Sequence, residues 1–280
     1  MEKIVIVLQG REWAINSIDF ACYLAQEGRS RIQGYFLEEP VYEELPRLRR
    51  IGGLAYVEPI ISADIPEEQS AHAFLQRRME NFVTHCQGKG IVTTASALPA
   101  DRLGELIQQT KFADLLVVDA AAVPGSQPPD SIPSPTVQYI LSAAQCPVFI
   151  APVSQMHPEH VIFCYDGSAS AVLAMKQFAY LFPELSGLKA TAVCVGDNDQ
   201  PDAEEVRALT TWMSRHFAFN EFVSLHGKLE DVLYPFVLKH SKAILVMGAY
   251  GRGAVSRFFT QSSADYFIGT LSCPIFITHD

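Results

Sequence analysis

Two short stretches carry the residue types that could hold a ligand. The first is Met247-Gly248-Ala249-Tyr250-Gly251-Arg252-Gly253, which directly follows an apolar run and leads toward a helix expected to start near Ser262. Glycines at such a place let backbone N–H groups come close to a ligand, and the next helix start adds unpaired donors with a partial positive charge. That combination suits a phosphate. It is not a Walker loop, because no Gly-Lys-Ser/Thr follows, and its glycines lack the Gly-x-Gly-x-x-Gly spacing of the dinucleotide fingerprint. The second stretch is Cys164-Tyr165-Asp166-Gly167-Ser168, which puts a carboxylate at the end of another apolar run. A carboxylate for ribose hydroxyls beside amides for phosphates outlines a nucleotide site, if the two runs are neighbouring strands at the point where the strand order reverses. Each stretch also has a plainer reading, the first as an ordinary loop and the second as an Asp that caps the helix beginning at 169.

Constellations for catalysis are missing. The sequence has no His-Glu-x-x-His, no Gly-x-Ser-x-Gly elbow and no Cys-x-x-Cys, so neither a catalytic residue nor a metal site is assigned. Ser168, Ser262 and Ser263 read as caps or phosphate donors rather than nucleophiles. His157 and His160 fall in a linker, where solvation explains them more simply than a metal does. Cys22, Cys86, Cys146, Cys164, Cys194 and Cys273 lie far apart in sequence and are expected as free, mostly buried thiols.

The elements that must position these residues reveal an internal repeat. Gln138-Tyr139-Ile140-Leu141 and Cys146-Pro147-Val148-Phe149-Ile150 match Asp265-Tyr266-Phe267-Ile268 and Cys273-Pro274-Ile275-Phe276-Ile277; 266 − 139 and 273 − 146 are both 127. Upstream, Asp114-Leu115-Leu116-Val117-Val118-Asp119 matches Ala243-Ile244-Leu245-Val246-Met247-Gly248 at an offset of 129. Periodicity predicts strands at 3–9, 31–37, 90–96, 114–119 and 147–151, with helices at 12–26, 67–87, 101–110 and 135–144. It predicts a second set of strands at 160–165, 189–195, 220–225, 243–248 and 274–278, with helices at 169–182, 202–217, 229–239 and 262–271. Strict alternation of near-continuous apolar strands with helices signals a parallel sheet covered on both faces. The predicted fold class is therefore α/β: two similar open-sheet domains, residues 1–153 and 159–280, each a mostly parallel sheet flanked by helices and joined by a proline-marked linker, 152–158. The first half alone carries a long insertion, 38–66, with Arg47, Arg49, Arg50 and Gly52-Gly53; it reads as a surface excursion packing Leu45, Leu48 and Tyr56, or as a lid.

Composition narrows the partners. The 280 residues carry 21 basic and 31 acidic side chains, a net −10 that neither half escapes, so no basic half exists to grip nucleic acid or an anionic membrane. The chain runs from Met1-Glu2-Lys3 straight into Ile4-Val5-Ile6-Val7-Leu8, and the expectation is a cytoplasmic protein without signal peptide or membrane span.

On these residues the second half resembles a universal stress protein domain, and the whole chain resembles the tandem members of that family. The family's ATP-binding members carry Gly, two residues, Gly, nine residues, then Gly-Ser or Gly-Thr, with an Asp after the first strand. The resemblance implies a Rossmann-like, adenine nucleotide alpha hydrolase-like fold and a nucleotide contact set of Asp166, Val195, Met247, Gly248, Gly251, Arg252, Gln261, Ser262 and Ser263. Gln261 stands where the pattern has its third Gly. If that position needs φ > 0, Gln there costs about 1–2 kcal/mol, and about 1.4 kcal/mol is tenfold in affinity, so ATP or AMP binding is expected to be weak or lost. Arg252 and Arg257 are the nearby cations, and magnesium is implied only as the nucleotide's own counterion. The first half fails the same test: Gln9 replaces the Asp, and Ala120-Ala121-Ala122-Val123-Pro124-Gly125 replaces Gly-x-x-Gly. It is expected to bind no nucleotide. The resemblance implies a stress-response protein that acts without catalysis, through a partner that reads its nucleotide state; a slow ATP-hydrolysing enzyme and a ligand-free scaffold are the rivals. Because family members dimerise through the last strand, the two halves are expected to form an internal pseudo-dimer, and a further homodimer stays open.

Overall fold

A computed structural model describes residues 1–8, 14–38, 48–51, 54–57, 66–119, 135–155, 157–196, 201–240, 242–248 and 270–278. Its strands are β1 (Lys3–Leu8), β2 (Arg31–Glu38), β3 (Leu48–Ile51), β4 (Leu54–Val57), β5 (Thr93–Pro99), β6 (Leu115–Val118), β7 (Val148–Ile150), β8 (His160–Cys164), β9 (Lys189–Val195), β10 (Phe219–Leu225), β11 (Ala243–Met247) and β12 (Ile275–Ile277). Its helices are α1 (Ile15–Gly28), α2 (Pro66–Gly88), α3 (Leu103–Thr110), α4 (Pro135–Ala143), α5 (Ala169–Leu181), α6 (Ala203–His216) and α7 (Leu229–Leu238).

Ten strands form one sheet in the order β10-β9-β8-β11-β12-β7-β6-β1-β2-β5. All neighbours are parallel except at the centre, where β12 meets β7 antiparallel with Phe276 opposite Phe149. The fold is thus α/β, with a mostly parallel sheet flanked by helices, as the alternation of elements predicts. Each half repeats one internal order: its first strand lies between its second and fourth, and its fifth lies at the centre of the sheet.

The inner strands are apolar on both faces because helices cover both, whereas the edge strands β5 and β10 are partly polar and partly exposed. Ile4, Ile6 and Leu8 of β1 face the layer that holds α1, α2, α5 and α6, whereas Val5 and Val7 face the layer of α3, α4 and α7. At the centre, Phe149 touches Phe20, Phe182 and Phe276, with ring centroids 5.2, 5.7 and 5.1 Å away, all edge-on. Phe149, Phe182 and Phe276 are fully buried, so one aromatic cluster spans the line where the halves meet.

The insertion carries a pair of strands that periodicity leaves unassigned. Between β2 and α2 the chain forms an antiparallel hairpin, β3–β4, with Arg49 opposite Tyr56, outside the main sheet. The Gly52-Gly53 pair between the two strands is the turn chemistry of a hairpin. Residues 39–47, 52–53 and 58–65, including Leu45 and Arg47, lie outside the described residues, as do 262–269 of the helix predicted at 262–271.

Candidate functional site

The reversal of strand order falls between β8 and β11. These two pair directly, with Phe163 opposite Val246, while β9 lies on the other side of β8 and β12 on the other side of β11. Chain leaving β8 turns toward β9 and chain leaving β11 turns toward β12. Their carboxyl ends therefore form the switch point, and parallel sheets hold ligands in the crevice outside such ends.

Asp166 stands at its mouth, 8% exposed, two residues beyond β8. Its Oδ1 accepts the backbone N–H of Ser168 at 2.9 Å, and Gly167 between them has φ of 75°, a conformation that favours glycine. The turn delivers Ser168 as the N-cap of α5: its Oγ accepts the N–H of Ala171 at 3.2 Å. Asp166 thus organises the turn while Ser168 caps the helix, which divides between two residues the capping role the sequence offers to Asp166.

Gly248, the first residue after β11, sits against that same helix start. A Cβ on Gly248 would lie 2.4 Å from the carbonyl carbon and oxygen of Ser170. Glycine is required here so that the strand end and the helix can touch, whatever the ligand. Met247, beside it, is 2% exposed and its side chain belongs to the core on the α7 face. Val195 ends β9, half-buried, opposite Leu225. Asp166, Val195, Met247 and Gly248 are therefore brought to the carboxyl ends of three adjacent strands. Gly251, Arg252, Arg257, Gln261, Ser262 and Ser263 lie outside the described residues.

Local sequence patterns gave no sign of Tyr165 and Glu205. The buried Tyr165 hydroxyl donates to Glu205 Oε1 at 2.5 Å, and burial together with that carboxylate holds the phenol well above its usual range. Glu205 is placed by Asp202, the N-cap of α6, whose Oδ1 accepts the N–H groups of Glu204 and Glu205 at 2.9 and 2.8 Å. The same Oε1 is the atom a Cβ on Gly167 would meet, at 2.9 Å. The Asp166 turn is thus walled by Glu205, a contact across 40 residues that no local pattern signals.

In the first half the same corner is built differently. Asp119 follows β6 as Gly248 follows β11; it is 3% exposed, and its Oδ1 accepts the hydroxyl of Ser17 on α1 at 2.6 Å. The N-cap of α1, Ala14, offers no side-chain cap. Gln9 and residues 120–134 lie outside the described residues. Among the described residues, no group of three His, Cys, Asp or Glu could hold a metal ion, and no helix is long and apolar enough to cross a membrane.

No protein-family model matches the sequence, and no curated protein matches it. Solved structures do. A universal stress protein from Archaeoglobus fulgidus superposes with a TM-score of 0.65 at 14% identity, covering 98% of this chain and 96% of its own. A putative universal stress protein from Pseudomonas aeruginosa gives 0.63 at 15% identity, covering 99% of this chain and 93% of its own. A functionally unknown protein from Pseudomonas aeruginosa PAO1 gives 0.61 at 15% identity, covering 99% and 92%. From end to end, this chain has the fold of the universal stress proteins.

Proposed function

We propose that the chain is a non-enzymatic stress-response protein built of two domains, 1–153 and 159–280, whose second domain binds an adenine nucleotide, ATP or AMP. The observation that carries the reading is the pairing of β8 with β11 at the reversal of strand order, with Asp166 and Gly248 beyond their ends. The donor set on the described side fits the ribose end of a nucleotide: a carboxylate accepts from hydroxyls, and Val195 offers an apolar contact beside it. On this reading Met247 shapes the floor from the core, and Gly248, Gly251, Arg252, Gln261, Ser262 and Ser263 supply the phosphate side. Magnesium would enter only with the nucleotide. The bound nucleotide acts on the 248–261 loop and changes a surface that a partner protein reads, a shift of population rather than a reaction. A homodimer would use a surface other than β7 and β12, which already pair with each other.

Calorimetry with ATP, ADP and AMP tests this. Loss of a charge-assisted hydrogen bond predicts at least a roughly tenfold weaker complex for Asp166→Ala. Asp166→Asn keeps an acceptor for the Ser168 N–H and separates the turn from the charge. Unchanged affinity in Asp166→Ala, or no binding by either the native chain or Gln261→Gly, overturns the reading. A phosphate-release assay separates sensor from enzyme: turnover that disappears with Asp166→Ala would make the protein an ATPase.

A further inference from the structure

All six cysteines are free and buried, but two of them touch. Cys22 on α1 and Cys86 on α2 bring their sulfurs to 3.5 Å, across 64 residues of sequence, and both are fully buried. The pair lies one layer beneath solvent. Asp19, one turn before Cys22, accepts from Lys89 Nζ at 2.5 Å and lies 2.7 Å from His85 Nε2, and Lys89 is three residues beyond Cys86. These side chains remain partly exposed, at 19% for Asp19, 30% for His85 and 33% for Lys89. They form a partly exposed polar cluster beside the dithiol, and Lys89 and Asp19 act electrostatically on both thiols.

From this geometry we propose that Cys22 and Cys86 are an oxidant-reactive dithiol that closes to a disulfide linking α1 to α2. The two sulfurs are not equivalent. The Cys22 thiol donates to the Cys86 sulfur, and that bond, with help from Thr93 and Lys89, lowers the pKa of Cys86, while Cys22 is held protonated. With Cys22 as the donor across the 3.5 Å contact, Cys86 is assigned as the attacking sulfur. With hydrogen peroxide as oxidant, the Cys86 thiolate forms an S–O bond as the O–O bond breaks. The hydroxide released takes up the proton that Cys86 gave away and leaves as water. The Cys22 sulfur then attacks the sulfenic acid; the S–S bond forms, the S–O bond breaks, and the Cys22 proton leaves with that oxygen as a second water. Two thiols are oxidised by two electrons and one peroxide is reduced to two waters. The sulfurs must approach from contact to bonding distance, about 2.0 Å, by side-chain rotation or a small shift of α2 over α1.

The other four cysteines are placed differently. Burial pushes Cys146 and Cys273 up to about 12 and raises Cys164 further, and among the contacts described only Cys22 and Cys86 have sulfur facing sulfur. The cross-link would enclose residues 23–85, the hairpin β3–β4 included, and would pin the helix that carries Ser17. It gives the half without a nucleotide motif an input of its own, independent of the ligand proposed for the other half.

The full-length protein is treated with hydrogen peroxide at neutral pH, unfolded in an alkylating agent, digested and mapped by mass spectrometry. The expected result is a fall from six to four alkylatable thiols per chain, a Cys22–Cys86 linked peptide pair released by reductant, and an intact mass lower by about 2 Da. Six alkylatable thiols after treatment, a link involving any of the other four, or separate sulfinic acids would overturn the proposal. In Cys22→Ser, dimedone should label Cys86. Label on Cys22 in Cys86→Ser with none on Cys86 in Cys22→Ser would overturn the assignment of the attacking sulfur. The native-chain map stands even if either variant fails to fold.

Discussion

The two halves share one strand order and differ where the first and fourth strands of each leave the sheet. In the second half, Gly248 has no side chain and lets β11 approach the backbone of Ser170 on α5. In the first, Asp119 stands at the matching place and spends an oxygen on Ser17 of α1. Ser17 and Ser170 themselves match, as do the buried residues that follow: Ile18, Ala21 and Cys22 on α1 against Ala171, Ala174 and Met175 on α5. The helices pack alike while the corners in front of them do not. One corner offers a capped helix start with a carboxylate outside it. The other draws its carboxylate inward to a hydroxyl. A duplicated fold can thus keep its core pattern and still give its two ends different chemistry.

The largest effect should come where the halves are joined rather than where they diverge. Phe149→Ala removes the ring that touches Phe20, Phe182 and Phe276, and a cost of about 3–5 kcal/mol is expected in urea unfolding. A loss under about 1 kcal/mol would show that the halves do not depend on a common aromatic cluster. Next is the corner itself. Gly248→Val should cost about 1–3 kcal/mol or more by driving α5 off the strand end. Asp119→Gly removes no such steric requirement, so near-equal losses from the two substitutions would erase the contrast.

The amino end of the strands sharpens the comparison through pH. β8 begins at His160, whose Nε2 lies 2.7 Å from Thr191 Oγ1 and whose ring meets that of His240 at 4.6 Å. Burial, then the neighbouring His240 and Lys189, pull this imidazole from 6.5 to about 4. The unfolded chain therefore binds the proton at higher pH than the folded one. Stability should be full above pH 6.5 and decline as pH falls toward 4, by about 2–3 kcal/mol. His160→Gln should flatten that decline between pH 7 and 5 in denaturant titrations. β1, the counterpart strand, begins at Lys3 and has no such group. The smallest effect expected is on affinity: Gln261→Gly should tighten adenine nucleotide binding by about tenfold in calorimetry. Asp119→Ala should leave it unchanged, and a loss of binding there would place the nucleotide in the wrong half.

Much of the fold was legible because its inner strands are buried on both faces. Runs such as Leu115–Val118 and Ala243–Met247 have no polar side to confuse the period, and the Cys-Pro repeat marked the closing strands before their pairing was known. The hairpin at 48–57 was harder, since its strands are four residues each and belong to no larger sheet. Of the candidate site, Asp166 and Gly248 could be read because chain order puts them at strand ends. The physical reason for Gly248 could not, for it depends on a helix that starts 79 positions earlier, at Ala169. Ser17 with Asp119, Tyr165 with Glu205, and Cys22 with Cys86 are separated by 102, 40 and 64 residues. Contacts of that kind are made by packing and leave no local period.

The junction of β7 with β12 has one more consequence. Residues 151–159 are all that separate the first half's last strand from the second half's first, so the antiparallel ladder between β7 and β12 forms within one molecule. A short tether of this kind sets an effective concentration on the order of millimolar. Dilution cannot part the halves, and their association carries no dependence on how much protein a cell makes. On the proposed reading, a nucleotide-dependent change would therefore be independent of protein concentration at this junction, and would be read at the strand ends away from it.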